Sequence, residues 1–141
     1  MASAPPDLTL TERTGAGVQG VCEDFLKQSR ARCALLVGRD GALLSKHGFT
    51  ENVDSQAAAA LSSACYAGTE ALAQILGEPR FSMFYQQGAS QHLQIHVVGD
   101  SALLVVVFDD RTNAGLVRLK ATAAARRLAR LLESSDTPAL R

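Results

Sequence analysis

Ala102-Leu103-Leu104-Val105-Val106-Val107-Phe108 is apolar at every position. An unbroken run of this kind, rich in β-branched residues, reads as a strand covered on both faces. A sheet with helices on both sides follows. Before it, across the tight turn Gly99-Asp100, Leu93-Gln94-Ile95-His96-Val97 alternates apolar and polar residues. Period two predicts a strand with one buried face, its histidines looking to solvent. Phe81 to Gln86 reads as a third strand, closed by the turn Gly88-Ala89-Ser90. Further upstream, Cys33 to Gly38 and Ala42 to Gly48 flank Arg39-Asp40-Gly41, the pattern of a β-hairpin whose glycine accepts positive φ.

Helices fill the gaps. Thr9 and Glu12 have capping-box spacing, and Val18, Val21, Cys22, Phe25 and Leu26 recur on one helical face, so a first helix is expected over roughly 9–29. Gly15, Gly17 and Gly20 weaken its early turns by roughly 1 kcal/mol each. The longest periodic segment is 53–77, capped by Asp54 or Ser55 and ended by Gly77 and Pro79. It carries two stripes. Leu61, Cys65, Gly68, Leu72, Ile75 and Leu76 should lie on the sheet. Beside them Ala57, Ala60, Ala64, Ala67 and Ala71 present methyl groups alone, which either lets another backbone approach closely or reflects alanine's helix propensity. A last helix starts at Thr112 or Asn113. It turns Leu116, Val117, Ala121, Ala124, Leu128, Leu131 and Leu132 inward and Arg118, Lys120, Arg126, Arg127 and Arg130 outward. That basic face is either solvated or docks an acidic surface.

The order is helix, hairpin, helix, three-stranded meander, helix, which makes an α/β chain with a five-stranded antiparallel sheet between helices. Strands do not alternate with helices, so a doubly wound nucleotide fold is excluded. One domain is expected over 9–133, after a disordered N-terminus at 1–8 and before a flexible tail at 134–141. With 141 residues, 14 Lys+Arg and 14 Asp+Glu, the formal net charge is zero. Bulk attraction to nucleic acid or an anionic membrane is not expected. The N-terminus has neither the basic start nor the apolar core of a secretory signal, and no apolar run approaches the ~18 residues of a membrane span. A cytoplasmic location is expected. Cys22, Cys33 and Cys65 form no Cys-x-x-Cys pair and read as buried free thiols.

Catalytic constellations are absent from the pattern. There is no phosphate loop, and Gly38-Arg39-Asp40-Gly41 is a hairpin turn. His92 and His96 would stand roughly 13 Å apart on one strand, too far to share a metal ion. Asp109 and Asp110 diverge as chain neighbours and, with Thr112 and Asn113, build a loop and helix cap. No cofactor and no metal are expected; an enzyme with an unrecognised site is the weakest reading.

Val98 to Leu119 resembles the final strand-loop-helix of Roadblock-type proteins. Leu36 to Ser45 resembles their first hairpin, and the Asp54 to Gly77 helix also matches. The likeness covers roughly 9–133 and is closest to the bacterial MglB group, partners of the Ras-like GTPase MglA. It implies a profilin-like domain that pairs its long helix and the following edge strand with a second copy. Ala57, Ala60, Ala64, Ala67, Ala71, Phe81, Met83 and Tyr85 would then form a homodimer interface. Gln56, Ser63, Tyr66, Ala67 and Glu70 would grip an MglA-like GTPase. The dimer would stimulate GTP hydrolysis in a cell-polarity or motility setting without a reacting group of its own. The alternative within the family is a scaffold that assembles a signalling or motor complex.

Overall fold

The computed structural model describes residues 10–136; the segments 1–9, with the expected cap Thr9, and 137–141 lie outside them. Its elements are α1 (Glu12–Ser29), β1 (Cys33–Gly38), β2 (Leu43–Gly48), α2 (Ser55–Leu76), β3 (Met83–Gln87), β4 (Gln91–Val98), β5 (Ala102–Asp109) and α3 (Ala114–Asp136). The strands form one antiparallel sheet ordered β2-β1-β5-β4-β3. This is the expected order of elements, with the apolar β5 at the centre. β2 and β3 are the edges.

Alternation along β1 and β5 splits the core in two. Ala34, Leu36, Leu104, Val106 and Phe108 pack under α1 and α3, against Val18, Val21, Cys22 and Phe25. Leu35, Val37, Leu103 and Val105 face α2, where they meet Ala59 and Tyr66. α2 lies over β1, β2 and β5. Over β4 and β3 the same sheet face is only partly covered, and Phe84, Leu93 and Val97 remain half-buried there.

Local chemistry sets the helix ends, with some corrections. Thr11 caps α1, its Oγ1 accepting from the Thr14 amide at 3.1 Å. Asp54 caps α2 by accepting from the Ala57 amide, and Gly77 ends it at φ 79°. Asn113 caps α3 through the Leu116 amide at 2.9 Å. α3 runs to Asp136, past the expected boundary at 133. β3 begins at Met83, not Phe81, because the Phe81 carbonyl accepts from the Tyr66 hydroxyl at 2.7 Å instead of joining the ladder.

Two burial expectations fail. Cys22 and Cys33 are buried, but Cys65 is exposed on α2. His92 and His96 are buried, because α3 covers the polar side of β4. Their polar atoms are satisfied in place. The Gly88 amide donates to His92 Nδ1 at 3.2 Å, and His92 Nε2 donates to Asp110 at 2.9 Å. His96 Nε2 donates to Gln94 Oε1 at 2.7 Å, and Gln94 Nε2 donates to the Ala114 carbonyl at 3.0 Å. A pattern of period two cannot distinguish water from a hydrogen-bonded polar layer beneath a helix.

Gly48, at φ 89°, closes β2 against the chain entering β1; a Cβ there would stand 2.5 Å from the Arg32 carbonyl oxygen. Gly48→Ala is therefore expected to lower stability by about 2 kcal/mol or more, read as a drop in the urea midpoint with unchanged slope.

Candidate functional site

Helix α2 has two usable faces, and the sheet takes the less obvious one. Ser55, Ala59, Ser62, Tyr66 and Ala73 are the buried positions. The stripe expected on the sheet points away from it: Leu61 is 66% exposed, Leu72 49%, Ile75 80% and Leu76 62%. Cys65 and Gly68 are exposed beside them. The reason is close approach. Small side chains let the helix settle onto the sheet, and one long residue, Tyr66, reaches across it to the Phe81 carbonyl.

All five alanines of the second stripe keep their outward position, Ala57, Ala64, Ala67 and Ala71 beside Ala60. The whole outer half of α2 is thus alanine, leucine, isoleucine, cysteine and glycine, edged by Gln56 and Gln74. Its one charged residue, Glu70, is bound to the Arg39 guanidinium. Contiguous exposed apolar surface of this kind marks an interaction site.

Arg39, which the sequence pattern assigned only to a turn, organises one flank. Its guanidinium lies over the Tyr66 ring, 5.2 Å from the centroid. Its carbonyl accepts from Ser63 Oγ at 2.6 Å, and its amide donates to the Ser101 carbonyl at 3.0 Å. The hairpin loop, the β4–β5 turn and α2 are clasped together by this one residue. Gly41 of the same loop lies against Ala60. The flank carrying Ser63 and Glu70 therefore faces the hairpin. By helical spacing, Leu61, Cys65, Leu72 and Leu76 occupy the opposite flank, toward the partly covered side of the sheet.

Of the residues expected to grip a partner, Gln56 and Ala67 are exposed, Ser63 and Glu70 are half-buried in the Arg39 clasp, and Tyr66 is buried, 1% exposed. Tyr66 thus presents no side-chain surface to a partner, since it serves the sheet side of the helix. Of the strand residues assigned to a dimer interface, Phe81 precedes β3. Met83 and Tyr85 sit on the α3 side of β3, opposite α2, with Tyr85 stacked on Phe108 at 6.2 Å. β3 itself offers an unpaired outer edge.

Burial pushes the Cys22 thiol up to about 12 and raises Cys33 as well, so neither presents a thiolate. Among the described residues no three His, Cys, Asp or Glu side chains converge on a metal-sized site. No helix there is long and apolar enough to cross a membrane.

Burial, with a smaller contribution from nearby Arg118, pushes His96 down to about 4. The unfolded imidazole titrates near 6.5, so between these values the unfolded chain binds a proton that the folded chain refuses. Stability is then full above about pH 6.5 and falls by roughly 3 kcal/mol as the pH drops toward about 4. Urea midpoints across this range should show that loss in the wild type and a smaller one in His96→Gln. Tyr66→Phe, which strands the Phe81 carbonyl, is expected to cost about 1–3 kcal/mol by the same measurement.

Comparison with known proteins agrees with this architecture. The model of the Roadblock/LC7 domain matches residues 17–108. Myxococcus xanthus MglB superposes with a TM-score of 0.79 at 36% identity, over 83% of this chain and 95% of that one. Gliding protein mglB from Thermus thermophilus does so with a TM-score of 0.87 at 34% identity, over 93% and 99%. An MglB with a tetrameric arrangement gives 0.88 at 34%, over 94% and 99%. Profilin IA of Acanthamoeba castellanii, at 12% identity and a TM-score of 0.59, shares the fold alone. No curated protein sequence matches. The chain belongs to the Roadblock/LC7 domain family, with an MglB-like fold.

Proposed function

We propose that the protein is a homodimer that regulates a small Ras-like GTPase of the MglA type by stimulating its GTP hydrolysis. The single observation behind this reading is the outer face of α2, a two-stripe apolar surface with its only charge already bound. Identity of 36% and 34% to MglB proteins directs the reading to a GTPase.

The two stripes divide the labour. Leu61, Leu72 and Leu76 flank the partly covered side of the sheet, where a second copy of α2 would lie beside them. Being about half to two thirds exposed, each would gain roughly 1–2 kcal/mol on full burial. The β3 edge of one protomer would pair with that of its partner, so the two sheets become continuous and both β3 edges are covered. The alanine stripe, with Gln56 and Ala67 at its border, then looks outward from the dimer. Methyl groups offer a flat bed on which a switch segment can rest its backbone. This moves the alanines from the dimer seam to the partner surface and places leucines at the seam.

Phosphoryl transfer depends on positioning and charge stabilisation more than on covalent chemistry. A binder that prefers the hydrolysis-competent arrangement of the switch loops raises its population by the difference in affinity. Such a regulator supplies no reacting group.

Leu72→Glu would bury a charge at the seam, weakening the dimer by at least about 100-fold, read by sedimentation. Ala64→Arg should leave the dimer intact and abolish GTPase binding. Wild-type protein should accelerate GTP turnover by an MglA-like GTPase, while both variants should not. Binding without acceleration would leave a scaffold; a wild-type chain that stays monomeric, or an Ala64→Arg protein that still accelerates turnover, would refute the proposal.

A further inference from the structure

The arginines of α3 differ in what they meet. Arg127 reaches Asp24 of α1 at 3.4 Å. Elsewhere Arg32 and Arg111 pair with Asp109, and Arg39 with Glu70. Arg118 and Arg126 are exposed, and among the described residues no carboxylate pairs with either. Both line one groove between α3 and the start of β3, with a volume of about 1240 Å³.

The groove is positive and apolar at once. Arg80 also lines it, tethered by a hydrogen bond to the Gly99 carbonyl at 3.2 Å, and Asp100 is the only carboxylate on its walls. Met83 gives it apolar lining, and Leu119, 64% exposed, stands beside the arginines. Positions 118 and 126 are eight residues apart on the same flank of the helix, so the two arginines stand about 12 Å apart along its axis. Arg118 is also near enough to disfavour a charge on His96 within the groove. A zero formal net charge makes this a local feature and not a bulk one.

We infer that this groove docks an acidic amphipathic segment of a partner protein, with carboxylates on Arg118 and Arg126 and an apolar side chain against Leu119 and Met83. Charge complementarity selects the acid, and the exposed leucine beside the arginines selects an amphipathic chain over a nucleic-acid backbone, which has nothing to place there. The groove opens on the α3 side of the sheet, opposite the outer face of α2. Its occupancy therefore does not depend on the GTPase reading, and both surfaces can be engaged together.

The test uses a labelled helical peptide with glutamates eight residues apart and leucines between them, and its glutamine counterpart, followed by fluorescence anisotropy. The acidic peptide should bind at least tenfold more tightly than the glutamine version, and less tightly as salt is added. Arg118→Gln combined with Arg126→Gln should remove that preference at an unchanged urea midpoint, whereas Arg13→Gln on α1 should not. Equal binding of the two peptides, no binding, or a preference that survives the double substitution would overturn the inference. So would tighter binding of a single-stranded oligonucleotide, or a change of oligomeric state in the double variant, which would assign the groove to nucleic acid or to a second copy.

Discussion

Everything in this molecule depends on which way α2 is rolled. A helix with large apolar residues on one side and small ones on the other can bury either. Here the small side goes down: Ala59, Ser62 and Ala73 bring the axis close to the sheet, and Tyr66 spans the remaining gap. The hydroxyl of Tyr66 meets the Phe81 carbonyl and its ring lies beneath the Arg39 guanidinium. Any other roll would break a partly buried hydrogen bond and a cation–π contact together. The consequence is an outward leucine stripe that water does not favour. Folding of the chain leaves that surface in water, and contact with another molecule would bury it.

The rest of the architecture supports the same asymmetry. α1 and α3 pack together over one sheet face and close it, while α2 covers only the β1, β2 and β5 portion of the other. Beyond it Phe84, Leu93 and Val97 stay half-covered, next to an edge strand with no outer neighbour. Under α3 the sheet is polar instead, with His92, Gln94 and His96 in a row: His92 meets the Gly88 amide and Asp110, and His96 meets Gln94, which donates to the Ala114 carbonyl. That row ties the β3–β4 turn, the β5–α3 loop and the first turn of α3 to one strand. The turn that closes the edge strand is thereby anchored to its neighbour β4.

Much of this was legible in the residue pattern because hydrophobic period reports secondary structure directly. The run from Ala102 to Phe108 identified the central strand, and Asp54 and Gly77 marked the ends of α2. The roll of α2 was not legible. Both stripes have helical spacing, and nothing local distinguishes the face that meets its own sheet from the face that meets another molecule. Tyr66 was misread for that reason, as was Cys65. The β4 histidines failed differently: alternation locates polar positions, but a helix distant in sequence decides whether they meet water. Arg39 hid inside a turn motif, where its glycine and aspartate neighbours explained the chain reversal and its own side chain drew no notice.

Backbone hydrogen exchange at β3 addresses the account most directly, because an edge strand and a strand inside a continuous sheet differ in that observable above all others. At tens of micromolar protein, amides of Met83 to Gln87 on the outer edge should be protected to a similar degree as those of β4, and dilution should release them in step with exposure of the α2 leucine flank. Outer-edge amides that exchange rapidly at every concentration, while β5 stays protected, would contradict it.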